Sequence, residues 1–166
     1  MPLFSIVTPT YNRASALFYT IQGSLGQDFD DYEIIVSDNS SSNETKDVVL
    51  SFGSKRIKYI RTEKRLSVAD NWDFAIRHAS GKYVMIMPDD DCMAPNLLSA
   101  LAPFAISGQV NLVSYETGRY YYPDYFVSSL RNQLHVAPYT GNILEFDYID
   151  TLRKWNYLDC RLVPLP

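Results

Sequence analysis

Three consecutive carboxylates, Asp89-Asp90-Asp91, stand just behind an apolar run that ends at Met87, with only Pro88 between. Like charges this close repel and raise one another's pKa, so the cluster is costly unless something offsets it. A divalent cation does so: Mg2+ and Mn2+ take oxygen ligands and leave positions for phosphate and water. The triplet reads as a carboxylate face for such a cation, or else as an acidic turn ahead of the helix that Pro95 opens. Asp38 closes a second apolar run, where a carboxylate can accept hydrogen bonds from a base edge or a ribose. Its context, Asp38-Asn39-Ser40-Ser41, is equally ordinary turn chemistry. Arg13 and Arg65 can pair with phosphates or stand as solvated charges, and Tyr11 can stack on a base or simply pack.

Periodicity gives the elements that must position these residues. Short apolar or β-branched runs at residues 3–8, 32–37, 57–61, 83–87 and 109–115 predict five strands. Asn12 is expected to cap a helix over residues 13–25, and a second helix is expected over 44–52 with Gly53 at its end. Ser67 caps a third, where Val68, Trp72, Ala75, Ile76 and Ala79 recur at helical spacing and Gly81 marks the stop. Pro95 opens a fourth, running to Ile106. Strands alternating with helices predict an α/β fold, an open and mostly parallel sheet with helices on both faces. Ligands of such sheets bind beyond the carboxyl ends of the strands. Three loops converge there: Pro9-Thr10-Tyr11-Asn12-Arg13, Asp38-Asn39, and Asp89-Asp90-Asp91. The pattern holds over residues 1–115 and degrades over 116–166, where Tyr120-Tyr121-Tyr122 can line a sugar site or form a packed strand.

The bulk properties narrow the function classes. A chain of 166 residues, 46% hydrophobic and 20% charged, suits one globular core. A formal net charge of −4 without a basic block argues against nucleic acid as a partner. Cys92 and Cys160 imply no disulfide framework, and the start Met1-Pro2-Leu3-Phe4 lacks a secretory signal. No run approaches 18 apolar residues, so the expectation is a cytoplasmic protein, with peripheral contact at the inner face of the membrane left open. His78, His135 and Cys92 form no metal-ligand pattern. A nucleotidyltransferase would need a glycine-rich phosphate loop near the start, yet the first glycine is Gly23. A receiver-type domain would need a lysine after a fifth strand, which is missing.

Together these segments resemble the family 2 glycosyltransferases of the GT-A fold. The resemblance covers residues 3–115 and is carried by four motifs in order. They are Ser5-Ile6-Val7-Thr8-Pro9-Thr10-Tyr11-Asn12-Arg13, then Tyr32-Glu33-Ile34-Ile35-Val36-Ser37-Asp38-Asn39-Ser40, then Asn71 ahead of Ala79-Ser80-Gly81-Lys82-Tyr83-Val84, then Pro88-Asp89-Asp90-Asp91 with Pro95. The resemblance implies inverting transfer of a sugar from a nucleotide-diphosphate sugar, UDP-linked by expectation, to a hydroxyl of a glycan, lipid-linked or other acceptor. Surface polysaccharide assembly is the setting it suggests. It also implies a divalent metal, Mn2+ or Mg2+. Thr8, Pro9 and Tyr11 would line the base pocket and Asp38 would read the base. Arg13, Asn39, Arg65 and Asn71 would lie near the donor. Asp89 would sit near the ribose, with Asp90 and Asp91 at the metal.

Two departures qualify that expectation. Pro88 stands where the family often has the first aspartate of its acidic motif. The catalytic base usually follows much later, and neither Glu145, Asp147 nor Asp150 matches it. Residues 116–166 are therefore expected to be the start of an acceptor-binding part, and the chain to bind donor while transferring sugar poorly. The rival is a transferase-like module that binds nucleotide or a partner protein without turnover. An exposed sheet edge and the apolar tail at residues 162–166 would favour self-association into a homo-oligomer.

Overall fold

The computed structural model describes residues 1–40, 42–110, 118–120 and 126–135. The chain divides into two units, Met1–Val110 and Asn111–Pro166. In the first, β1 (Phe4–Thr10), β2 (Tyr32–Asp38), β3 (Ile57–Arg61) and β4 (Tyr83–Ile86) form one sheet in the order β3-β2-β1-β4. All three pairings are parallel, so the expected open parallel sheet is present. Central parallel strands are covered on both faces, and β1 and β2 are accordingly buried at every position but the half-buried Glu33. Ile6, Val7, Ile34, Ile35 and Val36 are completely buried. Each such side chain contributes about 1.5–3 kcal/mol of transfer free energy.

Helices α1 (Ala14–Leu25), α2 (Glu44–Ser51), α3 (Val68–Ile76) and α4 (Leu97–Ser107) follow the four strands in turn. Val7 and Ile35 share a cluster with Ala75 of α3, joined by Ile60, Ile76, Ala79 and Val84. Successive strand residues point to opposite faces, so Ile6, Ile34 and Val36 face away from α3. In α1 the buried positions are Leu17, Thr20, Ile21 and Ser24, and in α4 they are Leu98, Leu101, Ala102 and Ala105. Both sets follow the i, i+3, i+4, i+7 spacing of a one-sided helix.

Helix ends depart from the sequence expectation, for identifiable reasons. Asn12 does not cap α1; it takes φ 53°, its N–H donates to Ser40 Oγ, and Arg13 is the cap residue. Ser67 caps α3 as expected, accepting from Asp70 N–H. That helix stops at Ile76 rather than Ala79, because the N–H groups of His78 and Ala79 bond three residues back. Gly81 has a different task from ending it. A Cβ there would lie 2.6 Å from Ser5 N, so only glycine lets the chain pass this close to β1. Beside it, Glu33 Oε1 accepts from Ser5 Oγ, Ser80 N–H and Ser80 Oγ. Burial pushes the Glu33 carboxyl up, but those bonds and Lys58 outweigh it and leave it below the usual range.

The fourth helix begins at Leu97, two residues after Pro95, because its first turn is capped from outside. Gln27 Oε1 accepts from Leu98 N–H while its amide donates to Ala94 O. The fifth strand expected at residues 109–115 lies outside the described residues from 111 onward. In the second unit, β5 (Arg119–Tyr120) and β6 (Leu134–His135) pair antiparallel, with a short 3-10 turn at Ser128–Leu130. Tyr121, Tyr122, Glu145, Asp147, Asp150 and the tail at 162–166 lie outside the described residues. Among the described residues, no helix is long and apolar enough to cross a membrane.

Candidate functional site

The strand registers set the carboxyl ends level. Thr10 pairs with Asp38, and Asp38 with Arg61, so β1, β2 and β3 end along one rim. On the other side of β1, Met87 N–H donates to Val7 O and leads the chain from β4 into Pro88 and the acidic turn. The residues singled out in the sequence thus reach the crevice through four neighbouring loops.

The three carboxylates of the acidic turn have different surroundings. Asp89 is buried, and its Oδ2 accepts from Thr10 Oγ1 at 2.7 Å. Burial raises its pKa; the bond from Thr10 and the charge of Arg13 oppose this, while Asp90 adds to it. Asp90 is exposed. Arg13 spans both, with Nη1 3.1 Å from Asp89 Oδ1 and Nη2 2.7 Å from Asp90 Oδ2. Asp91 is exposed, and its carbonyl is held by the buried Thr20 hydroxyl at 2.8 Å. Helix α1 and the turn that follows it therefore hold this segment, Thr20 at Asp91 and Gln27 at Ala94.

Among the described residues, no group of three His, Cys, Asp or Glu side chains gathers closely enough to hold a metal unaided. Mg2+ and Mn2+ do not require that. They are commonly held by one or two carboxylates, with substrate phosphate and water completing the shell. The donors at this turn are hard oxygens at an open rim, and a guanidinium already bridges two of them as a cation would. The residues fit such a metal.

Beside the acidic turn lies a cavity of about 260 Å3, lined among others by Tyr11, Asn39, Ser40, Arg61, Thr62 and Arg65. The Arg65 guanidinium stacks 4.6 Å from the centre of the Tyr11 ring. Asp38, next in the chain to the lining residue Asn39, is completely buried. Its Oδ1 accepts from Ser40 N–H at 2.8 Å, closing an Asx turn, and its Oδ2 accepts from Tyr59 Oη at 2.6 Å. Arg61 Nε stands 4.0 Å from Oδ2. Burial, together with the hydrogen bond to Asp38 and its negative charge, pushes the Tyr59 hydroxyl up to about 12, so it remains a donor near neutrality. Both Asp38 oxygens are thus committed to the chain itself.

The two asparagines also bond internally. Asn39 donates to Leu66 O and accepts from Leu66 N–H and Thr62 Oγ1, tying the loop after β3 to the end of β2. Asn71 is buried in α3, where its Oδ1 accepts from Ser37 Oγ at 2.7 Å. Thr8 and Pro9 are buried inside β1.

Sequence reasoning passed over Thr10, Ser40 and Arg61. Thr10 holds Asp89; Ser40 Oγ receives Asn12 N–H; and Arg61 bonds Asn43 Oδ1 and Ser40 O. Arg61 was findable, since it ends a parallel strand at the rim where ligands bind.

Comparison with known proteins agrees with this architecture. The chain is 37% identical over 115 residues to the GalNAc(5)-diNAcBac-PP-undecaprenol beta-1,3-glucosyltransferase of Campylobacter jejuni. That match covers 68% of this chain and 37% of the relative. It is 30% identical over 118 residues to the UDP-Glc:alpha-D-GlcNAc-diphosphoundecaprenol beta-1,3-glucosyltransferase WfgD of Escherichia coli, covering 71% of this chain and 46% of that one. The chain thus spans less than half the length of either relative. Among solved structures, S. aureus TarS 1-349 matches with a TM-score of 0.59 at 25% identity, covering 63% of this chain and 32% of that one. The mannosyltransferase PcManGT from Pyrobaculum calidifontis, solved in complex with GDP-Man and Mn2+, matches with a TM-score of 0.57 at 21% identity, covering 67% and 34%. The sequence profile of glycosyl transferase family 2 matches residues 5–160, and the chain belongs to that family.

Proposed function

We propose that this chain carries the donor site of an inverting, metal-dependent glycosyltransferase that takes a UDP-linked sugar. The observation that carries the reading is one segment of chain, Thr10 to Arg13. At one end it holds Asp89 and at the other it bridges Asp89 and Asp90, while Tyr11 between them lines the cavity. A ligand with a flat base joined to a diphosphate matches that division. Tyr11 offers the base a ring face, and Arg65 lies near enough to turn from that ring toward a phosphate. Asp38 acts indirectly, fixing Ser40 and Arg61 at the cavity wall. Asn39 and Asn71 fix the loop after β3 and helix α3.

A divalent ion at Asp90, with Asp89 or Asp91 beside it, would offset charge on the departing diphosphate. Residues 1–115 would form the donor domain and 116–166 the beginning of the acceptor part. The names of the Campylobacter and E. coli relatives support a UDP-glucose donor and an acceptor carried on a lipid diphosphate. Such an acceptor would bring the protein to the inner face of the membrane. A thermal-shift comparison with Mn2+ present tests the base and donor. UDP and UDP-glucose at about 100 times Kd should add about 2.7 kcal/mol of stability, a rise of roughly 5–11 °C for a chain of this size. GDP at the same concentration should leave the midpoint within 1 °C. An equal rise with GDP would overturn the uridine assignment.

A further inference from the structure

The Arg13 guanidinium lies across the two carboxylates where a cation would be held, with one nitrogen on Asp89 and the other on Asp90. Its backbone is fixed, since Arg13 O accepts the N–H groups of Ala16 and Leu17 at the start of α1. Its side chain, by contrast, is half exposed, so the head can swing while its root stays in place. Asp89 cannot turn away, because Thr10 holds its other oxygen and the residue is buried. Without a positive group here, adjacent carboxylates would face each other uncompensated.

Taking the metal-dependent reading above as its basis, we propose that Arg13 is an internal counter-cation that a divalent metal must displace, and that the released guanidinium then pairs with the donor diphosphate. A guanidinium and a divalent ion held together on the Asp90 carboxylate would repel each other at close range, so each disfavours the other there. A divalent ion arriving with a diphosphate supplies the stronger positive charge for the carboxylates and new anionic oxygens for the arginine. Guanidinium pairs bidentately with phosphate as readily as with carboxylate. Arg13 would thereby disfavour metal binding in the absence of donor and favour it once donor is present. It acts as a positioning residue, coupling the two ligands.

Losing the Arg13 guanidinium should move the two affinities in opposite directions. Mn2+ binding to the full chain without nucleotide can be followed by the paramagnetic resonance signal of free Mn2+, and UDP binding at saturating Mn2+ by calorimetry. Arg13→Gln should tighten Mn2+ alone about tenfold, yet weaken UDP with Mn2+ about tenfold, as expected for loss of one charge-assisted contact on each side. Arg13→Lys keeps the charge but cannot bridge both carboxylates, so it should tighten Mn2+ by a smaller, measurable factor. Wild-type Mn2+ affinity in both variants would overturn the proposal. So would tightening in Arg13→Gln alone, because that would reflect net charge rather than the bridge. Mn2+ binding only when UDP is present, in wild type and Arg13→Gln alike, would also overturn it. Asp90→Ala separates the two readings: unchanged Mn2+ binding in that variant would remove the metal site itself.

Discussion

Asp90→Ala is expected to weaken UDP binding in Mn2+ by about 100-fold while leaving the fold intact. Asp90 is the exposed member of the acidic pair, and its only described side-chain bond is to Arg13. Removing an exposed carboxylate of this kind changes stability by about 0.5 kcal/mol or less. Its loss in binding should be far larger, because one or two carboxylates are the protein's whole contribution to a site that phosphate and water complete. Loss of a partner that orients a metal ligand already costs about 10- to 100-fold in affinity, so loss of a ligand belongs at the upper end. In EDTA the variant and the wild type should bind UDP equally weakly. Calorimetry on the two proteins in Mn2+ and in EDTA gives all four values. Equal affinity in Mn2+ would mean the acidic turn does not serve the nucleotide through a metal.

The second large effect concerns stability. Asp38→Ala is expected to cost about 3 kcal/mol, because it strips the acceptor from a buried set of donors. Ser40 N–H and the Tyr59 hydroxyl would both lose their partner, and Arg61 its nearest carboxylate. Asp38→Asn should cost only about 1 kcal/mol. Its oxygen can still accept from Ser40 N–H, and its amide can donate to the Tyr59 oxygen. Denaturant unfolding of the three proteins measures this, with midpoints falling in the order wild type, Asn variant, Ala variant. Both variants should also bind UDP more weakly, since Ser40 and Arg61 line the cavity that Asp38 supports. An alanine variant as stable as the wild type would mean the buried carboxylate does not organise the rim.

The sheet was legible in the sequence because its strands are buried on both faces. Short β-branched runs such as Ile34-Ile35-Val36 read as covered strands, and β3 appears with its expected bounds. Strand ends then fixed which loops could meet, so the convergence of the segments at Thr10, Asp38 and Asp89 followed from topology alone. Helix ends were less legible where a distant residue supplies the cap, as Gln27 does for α4. Local sequence at Pro95 contains no trace of that bond. Gly81 shows the same limit, since its requirement comes from Ser5 in another strand.

Within the site, residue types were legible but partners were not. Arg13 was expected near a phosphate and lies on Asp89 and Asp90; Asp38 was read as a ligand contact or a turn former, and it forms the turn with Ser40 and also holds Tyr59. Both outcomes have one cause. A charged group near a crevice takes whichever opposite charge or donor the fold places within reach, and sequence spacing does not reveal distances between loops.

The proposed donor site binds a uridine diphosphate through a divalent ion at the acidic turn. Calorimetric titration of UDP into the unaltered chain, once in Mn2+ and once in EDTA, tests it most directly. Saturable one-to-one binding is expected in Mn2+, with a loss of at least tenfold in affinity, about 1.4 kcal/mol, when the metal is removed. Equal affinity in the two buffers, or no binding in either, would contradict it.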